Sequence, residues 1–283
     1  MAIKMTNSNP LIKHFRQPQL YIKLPSQGNW YKPGTIDIPV TKELPVFAMT
    51  AKDEIIAKTP DALMTGQSVV DIIHSCVPNI KNAWEMPVID LDQILISIRR
   101  ATYGNAMDFV SVCPHCGKKN ENTLNLEALL NSGYIPNFDE SFKTHNLEFF
   151  MQPQTFKNFN QVNLKKFEIQ RVVASLAHTE ISESEKINKV QKALNDLLEI
   201  TMHTMADNVI AIKTSDGQLV DRKEYILEFI QNCQKDIWEK LTEKINSIVD
   251  GSPAKSISLK CTQTECQKDY STPLIFDLSN FFG

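Results

Sequence analysis

Glycine is scarce: nine in 283 residues, about 3% against an ordinary share of about 7%. Among Gly28, Gly34, Gly66, Gly104, Gly117, Gly133, Gly217, Gly251 and Gly283, no two stand at the spacing of a dinucleotide fingerprint or a P-loop. That excludes the glycine-rich cradles whose backbone N–H groups hold phosphates. A surplus of one charge is lacking too. Thirty Lys+Arg against 33 Asp+Glu leave a formal net charge of −3, so no global positive field draws the chain to nucleic acid or anionic lipid. Long apolar runs are also missing. Met1 to Lys23 holds no apolar core of the roughly 7–15 residues a signal peptide needs, and no run approaches the roughly 18–20 that span a bilayer. The expected setting is a cytoplasm, with no membrane partner.

What is present reads as a packed globular chain: 42% hydrophobic and 22% charged residues, near the globular average. The length allows one large domain or two ordinary ones and a sizeable core. Residues 1–19 are polar, carry Pro10 and Pro18 and lack periodicity, which predicts a flexible arm that orders on a partner. Leu20–Leu24 and Thr35–Val40 alternate like strands across a turn-rich stretch, and predict a short β element.

Helices are expected over about 50–103. Thr50-Ala51-Lys52-Asp53 has capping-box spacing, Val69 to Val77 carries an apolar face, and Asp90 with Gln93 repeats the capping pattern before a helix that stops at Gly104. A loop is expected at 131–144, a strand at 147–151, and a mainly helical insert over 155–250. The insert contains a helix from Phe156 to Ala177, a second opened by Ser182 and Glu185, a short hairpin at 209–220, and two more helices, the first opened by Asp221 and Glu224.

Two hairpins carry thiols at their tips. Met107–Val112 and Asn122–Leu126 flank Cys113-Pro114-His115-Cys116-Gly117, and Ile257–Lys260 with a return strand at 272–278 flanks Cys261-x-x-x-x-Cys266. A structural Zn²⁺ takes four soft ligands in a tetrahedron, and each turn supplies two. Cys113, Cys116, Cys261 and Cys266 therefore predict one discontinuous Cys₄ zinc ribbon. Its two halves are separated by 144 residues, 117 to 260 inclusive. Closing a flexible loop of that length costs about 4–5 kcal/mol plus a constant, against roughly 10–16 kcal/mol for structural zinc in small peptides, so the metal outweighs the loop. Four thiolates on Zn²⁺ leave a local charge of −2, which Lys118, Lys119, Lys260 and Lys268 can offset.

Cys113-Pro114-His115-Cys116 also fits a dithiol oxidoreductase, but such a thiol sits at a helix N-terminus, and here a strand follows. Disulfides are disfavoured in a cytoplasmic chain. Cys76 and Cys233 fall on apolar helix faces as small buried hydrophobes. His115 is expected to point away from the ligands, and the other histidines and the carboxylates show no catalytic grouping. No active site and no small-molecule substrate are expected.

Several stretches together resemble a known family. They are Leu24-Pro25-Ser26-Gln27-Gly28 with Trp30-Tyr31, Met49-Thr50-Ala51-Lys52-Asp53-Glu54, Thr59-Pro60-Asp61-Ala62-Leu63, Cys76-Val77-Pro78, Arg99-Arg100-Ala101-Thr102-Tyr103-Gly104 and Cys113-Pro114-His115-Cys116-Gly117. Over about 20–126 the chain resembles the baseplate hub assembly proteins of T-even-type contractile-tailed phages. The resemblance implies a non-enzymatic protein acting in construction of the baseplate hub and central spike, as a component or a chaperone, in the host cytoplasm and in the virion tail if it stays there. Its partners would be hub or tape-measure proteins, met through the arm and the 50–103 helices.

The reading is an α+β chain in four parts: an arm at 1–19, a β/helical domain at 20–130 ending in the first knuckle, a mainly helical inserted domain at 131–250, and the second knuckle with a C-terminal strand at 251–283. A second function stays open, a zinc-ribbon regulator that grips nucleic acid through the clustered lysines.

Overall fold

Thr50 opens the first helix as its spacing requires: its hydroxyl accepts from Asp53 N, and the Asp53 carboxylate accepts from Thr50 N at 2.8 Å. The computed structural model describes residues 9–59, 65–131, 135–176, 182–250 and 256–273, and this reciprocal cap starts the first of its α-helices, α1 (Ala51–Ala57). Before it come β1 (Pro18–Ile22) and β2 (Leu44–Phe47), antiparallel with Ile22 opposite Leu44. After it come α2 (Gln67–Cys76) and α3 (Leu91–Tyr103). Ile22, Leu44, Val46, Ile72, Ile73, Ile94 and Ile98 from these elements share one buried core.

From α3 the chain passes Gly104, whose φ of +91° ends the helix, into β3 (Ala106–Val112) and β4 (Lys119–Asn125), and then the single turn α4 (Leu126–Leu130). A four-stranded antiparallel sheet follows in spatial order β5-β6-β7-β8, made of β5 (Phe142–Thr144), β6 (Leu147–Met151), β7 (Val209–Lys213) and β8 (Leu219–Val220). Between the neighbours β6 and β7 the chain leaves the sheet as two long helices, α5 (Phe156–Leu176) and α6 (Glu183–Asn208). α6 opens with a second reciprocal cap, Ser182 with Glu185. α7 (Lys223–Asn232) and α8 (Lys235–Asp250) follow, and Ile226, Ile230, Ile237 and Leu241 close over Phe149, Val209 and Ile212 as a second core. β9 (Ser256–Lys260) and β10 (Asp269–Pro273) form the last hairpin. The architecture is mixed α+β. No helix among the described residues is long and apolar enough to cross a membrane.

Several expectations need correction. β1 pairs with 44–47 rather than 35–40. Pro39 lacks the donor a ladder needs, and the 35–40 stretch instead bridges Ile36 to Ile80 and gives Asp37 N to Asn79 O. The loop expected at 131–144 contains β5. Asp90 does not cap α3: its backbone is already helical and its carboxylate is fully buried, accepting from Ser26 N (2.8 Å), Ser26 Oγ (2.6 Å) and Tyr31 Oη (2.9 Å). The helix expected from Asp221 and Glu224 has Arg222 as its N-cap. The second thiol hairpin returns at 269–273, ahead of the expected 272–278, of which 274–278 lies outside the described residues.

Of the expected arm, residues 1–8 lie outside the described residues. Residues 9–19 carry a 3₁₀ turn at Pro10–His14, an anchored Arg16 and the start of β1. Arg16 donates to Ala48 O, to Ser75 O at 2.5 Å and to Ser75 Oγ at 2.8 Å, and its guanidinium lies 5.6 Å from the centre of the Phe47 ring.

Candidate metal centre

Each thiol turn grows from a two-stranded ladder that stops one residue short of its first cysteine. Val112 pairs with Lys119 in the first hairpin, and Lys260 with Asp269 in the second. Both turns then close the same way. Cys113 N donates to Lys118 O and Cys261 N to Lys268 O, each at 3.0 Å. In both, the residue just after the second thiol is left-handed, Gly117 at φ +69° and Gln267 at φ +48°. Glycine takes that conformation without a Cβ clash, whereas a glutamine there costs about 1–2 kcal/mol.

The wider spacing of the second pair has a local explanation. Gly117 N donates to Cys113 O, four residues back, and Gln267 N donates to Gln263 O, also four back. The tight turn is therefore common to both hairpins, but Cys113 itself opens the first, whereas Gln263 opens the second, two positions after Cys261; Thr262 and Gln263 are thus the two extra residues that separate the thiols of the second pair. These are the residues that dock on the other hairpin. Thr262 N and Oγ1 donate to Asn120 Oδ1 at 2.8 and 2.7 Å, and Gln263 Nε2 donates to Lys119 O at 3.4 Å.

The two tips meet. The sulfur atoms of Cys113, Cys116, Cys261 and Cys266 all lie within 4.8 Å of one another. Cys113 and Cys266 are 3.9 Å apart across the hairpins, Cys116 and Cys261 3.7 Å. A tetrahedron with metal–sulfur bonds of about 2.3 Å has edges of about 3.8 Å, while a disulfide needs about 2.05 Å. Four thiols at this separation fit a metal ion, and all six cysteines are free. Cys113 and Cys261 are buried, Cys266 is half-buried and Cys116 is exposed. Burial raises the Cys113 thiol, but the amide N–H groups of His115 and Cys116, with neighbouring thiols, bring it down to about 7; the amide of Lys118 lowers Cys116, but burial and the other three thiols push it up to about 11, so Cys113 gives up its proton before Cys116. Lys118, Lys119, Lys260 and Lys268 are exposed around the tips, where their charge opposes that of a thiolate cluster.

Sequence reasoning named the four sulfurs and missed the groups that align the hairpins. Asn120, almost fully buried, accepts from both donors of Thr262 and from Cys261 Sγ at 3.5 Å. Ser111 and Tyr270 share a hydroxyl hydrogen bond, and Asn122 Nδ2 donates to Ser111 Oγ at 2.9 Å. His115, expected to point away, places Nε2 3.2 Å from Asp269 O of the second hairpin. The available signal was a polar residue at an inward strand position, as Ser111 and Asn120 are. The remaining cysteines hold no part in the centre. Cys76 is fully buried, its thiol pushed up to about 12 by burial and by the charge of Asp53, and Cys233 lies half-buried just past α7.

No curated protein and no solved structure matches the chain. A family model of the T4 bacteriophage base plate protein matches residues 23–283, a span that takes in both hairpins, all four thiols and the long helices between them. A structural role in the phage tail baseplate, among other phage structural proteins, comes with that match: the chain belongs to the T4 bacteriophage base plate protein family.

Proposed function

We propose that the chain is a non-enzymatic factor in assembly of the baseplate hub and central spike, and that Zn²⁺ bound by Cys113, Cys116, Cys261 and Cys266 staples its last hairpin to its first. The reading is carried by family membership over 23–283 together with a four-thiol cluster whose hydrogen-bonded neighbours tie one hairpin to the other. A metal so placed acts on the fold. It fixes where residues 256–273 sit on a hairpin that rises directly from α3, and so unites the two ends of the 20–130 and 251–283 regions around the insert at 131–250. Work of this kind takes place in the host cytoplasm, with hub or tape-measure proteins as the partners.

Two measurements test the two halves separately. Elemental analysis of the purified chain is expected to give about one zinc per molecule. No zinc, with four thiols reacting freely under native conditions, overturns the staple. Co-purification of the tagged chain from infected cells is expected to bring down hub or tape-measure proteins. Recovery of other baseplate proteins without them overturns the hub assignment.

The lysines beside the thiols favour one other reading, a nucleic-acid-binding ribbon, although Glu121, Glu265 and Asp269 are interspersed with them. Duplex and single-stranded DNA are expected to show no binding at low salt. Binding that falls steeply with salt would favour the regulator.

A further inference from the structure

The four thiols of the centre differ in what can reach them. Cys113 and Cys261 are buried, Cys266 is half-buried, and Cys116 alone of the four is exposed. Once a cation is held, every ligand sulfur is a thiolate, so access decides which of them reacts. Cys76 and Cys233 are no rivals: Cys76 is fully buried, and Cys233 is half-buried with its thiol donating to Ile230 O at 3.5 Å. An exposed thiolate is the form and the position that a hydroperoxide oxidises.

A second sulfur stands ready on the other hairpin. Cys261 Sγ lies 3.7 Å from Cys116 Sγ, so a bond of about 2.05 Å needs the two to close by about 1.7 Å. Contacts on either side of the pair hold the tips at that separation. Thr262, next to Cys261, donates twice to Asn120 Oδ1, and His115, next to Cys116, places Nε2 3.2 Å from Asp269 O. We propose that Cys116 is a hydroperoxide-reactive site with Cys261 as its resolving partner, so that oxidation replaces the metal staple by a disulfide between the same two hairpins. The Cys116 thiolate attacks one peroxide oxygen and becomes a sulfenic acid as the O–O bond breaks and hydroxide leaves. The Cys261 thiolate then attacks the sulfenic sulfur, and a second hydroxide leaves. Two thiolates give up two electrons, the peroxide takes both, and one S–S bond forms. Loss of two ligands releases the cation. Cys113 and Cys266, 3.9 Å apart and likewise on different hairpins, join through a second peroxide. The last hairpin stays fixed to the first throughout, which a bond inside either turn would not achieve.

This site rests on the zinc staple proposed above, and the test separates the two. The purified full chain is first assayed for zinc, then titrated with hydrogen peroxide. A chelating dye reads the zinc released, and peptide mapping under non-reducing conditions reads the sulfur bonds. The first equivalent is expected to release about one zinc per chain and to join the Cys116 and Cys261 peptides. A thiol reductant with added zinc is expected to restore the loaded chain. Cys116→His keeps a ligand that zinc accepts but no sulfur to oxidise, and is expected to load zinc and release it at least about tenfold more slowly. Cys113→His, at a buried position, is expected to load zinc and still form the Cys116–Cys261 bond at the wild-type rate. A chain without zinc before peroxide is added overturns the staple and this proposal together. A loaded chain that keeps its zinc, joins Cys113 to Cys116, or proceeds to sulfinic acid with no bond between the hairpins overturns this proposal alone and leaves the staple standing.

Discussion

The hydroxyls of Ser111 and Tyr270, 159 positions apart in the chain, lie 2.6 Å from each other where the two thiol hairpins cross. Both residues are buried, and Ser111 also accepts from Asn122. The pair is unequal in what each partner leaves behind. In Tyr270→Phe, Ser111 keeps its bond from Asn122, and the cost is about 1 kcal/mol. In Ser111→Ala, the Tyr270 hydroxyl is buried with its partner gone, and the cost rises to about 1–3 kcal/mol. Amide hydrogen exchange in β3, β4, β9 and β10 reads the difference as faster opening, larger for Ser111→Ala. Equal effects of the two changes would show that the hydroxyl pair does not hold the hairpins together.

Asn120 offers a way to test the proposed metal centre without touching a sulfur. Its Oδ1 holds Thr262 in place beside Cys261, so Asn120→Ala orphans the Thr262 donors and releases the two-residue addition that positions the second turn. Loss of such outer support typically costs about 10–100-fold in metal affinity. Competition with a chelating dye is expected to show zinc still bound at about one per chain in Asn120→Ala, at affinity lower by that factor. Unchanged affinity would mean that the thiols alone set the geometry.

The contrast between Thr50 and Asp90 shows what the sequence could reveal and where it stopped. Thr50 with Asp53 and Ser182 with Glu185 are closed within four residues, so the local pattern contains the whole interaction, and both caps form. Asp90 with Gln93 has similar spacing, yet its partners Ser26 and Tyr31 come from 64 and 59 residues away, and no local pattern records them. The thiol centre divides along the same line. Paired cysteines at hairpin tips are a local signal. The additions at Thr262 and Gln263, and their anchors on Asn120 and Lys119, exist only once the hairpins meet. Strand pairing failed likewise: alternation marks 20–24 and 35–40 as extended, but Pro39 and the reach of Asp37 N to Asn79 O send the second stretch elsewhere.

Arg16 makes the start of the chain part of the first core. Its guanidinium fork satisfies Ala48 O, Ser75 O and Ser75 Oγ together, and Asp53, which caps α1, lies 3.5 Å from it. Arg16→Ala is expected to destabilise the fold by about 2–3 kcal/mol, the range for bonds from a charged donor. Arg16→Lys is expected to recover little, because an ammonium cannot reproduce a planar fork. Denaturant midpoints for the three chains measure this. A full recovery by lysine would assign the effect to charge rather than geometry.

Asp90 ties the strained loop at 24–31 to the start of α3. Gln27 and Trp30 are left-handed without being glycine, and Gly28 between them is left-handed as well, at φ +85°. Burial raises the Asp90 carboxyl to about 6, partly opposed by the hydrogen bonds from Ser26 and Tyr31. The folded protein therefore holds a proton on this group more tightly than the unfolded chain, whose value is 3.8. The resulting stabilisation is complete below about pH 4 and is lost as pH rises through about 6. Two pH units correspond to about 3 kcal/mol. Asp90→Asn removes the ionisation but keeps a carbonyl oxygen for Ser26 N. The stability of Asp90→Asn relative to the wild type is thus expected to increase between pH 4 and pH 7, by up to about 3 kcal/mol, in chemical denaturation at a series of pH values. A difference between the two chains that stays constant over that range would mean that Asp90 remains ionised throughout, its three donors outweighing its burial.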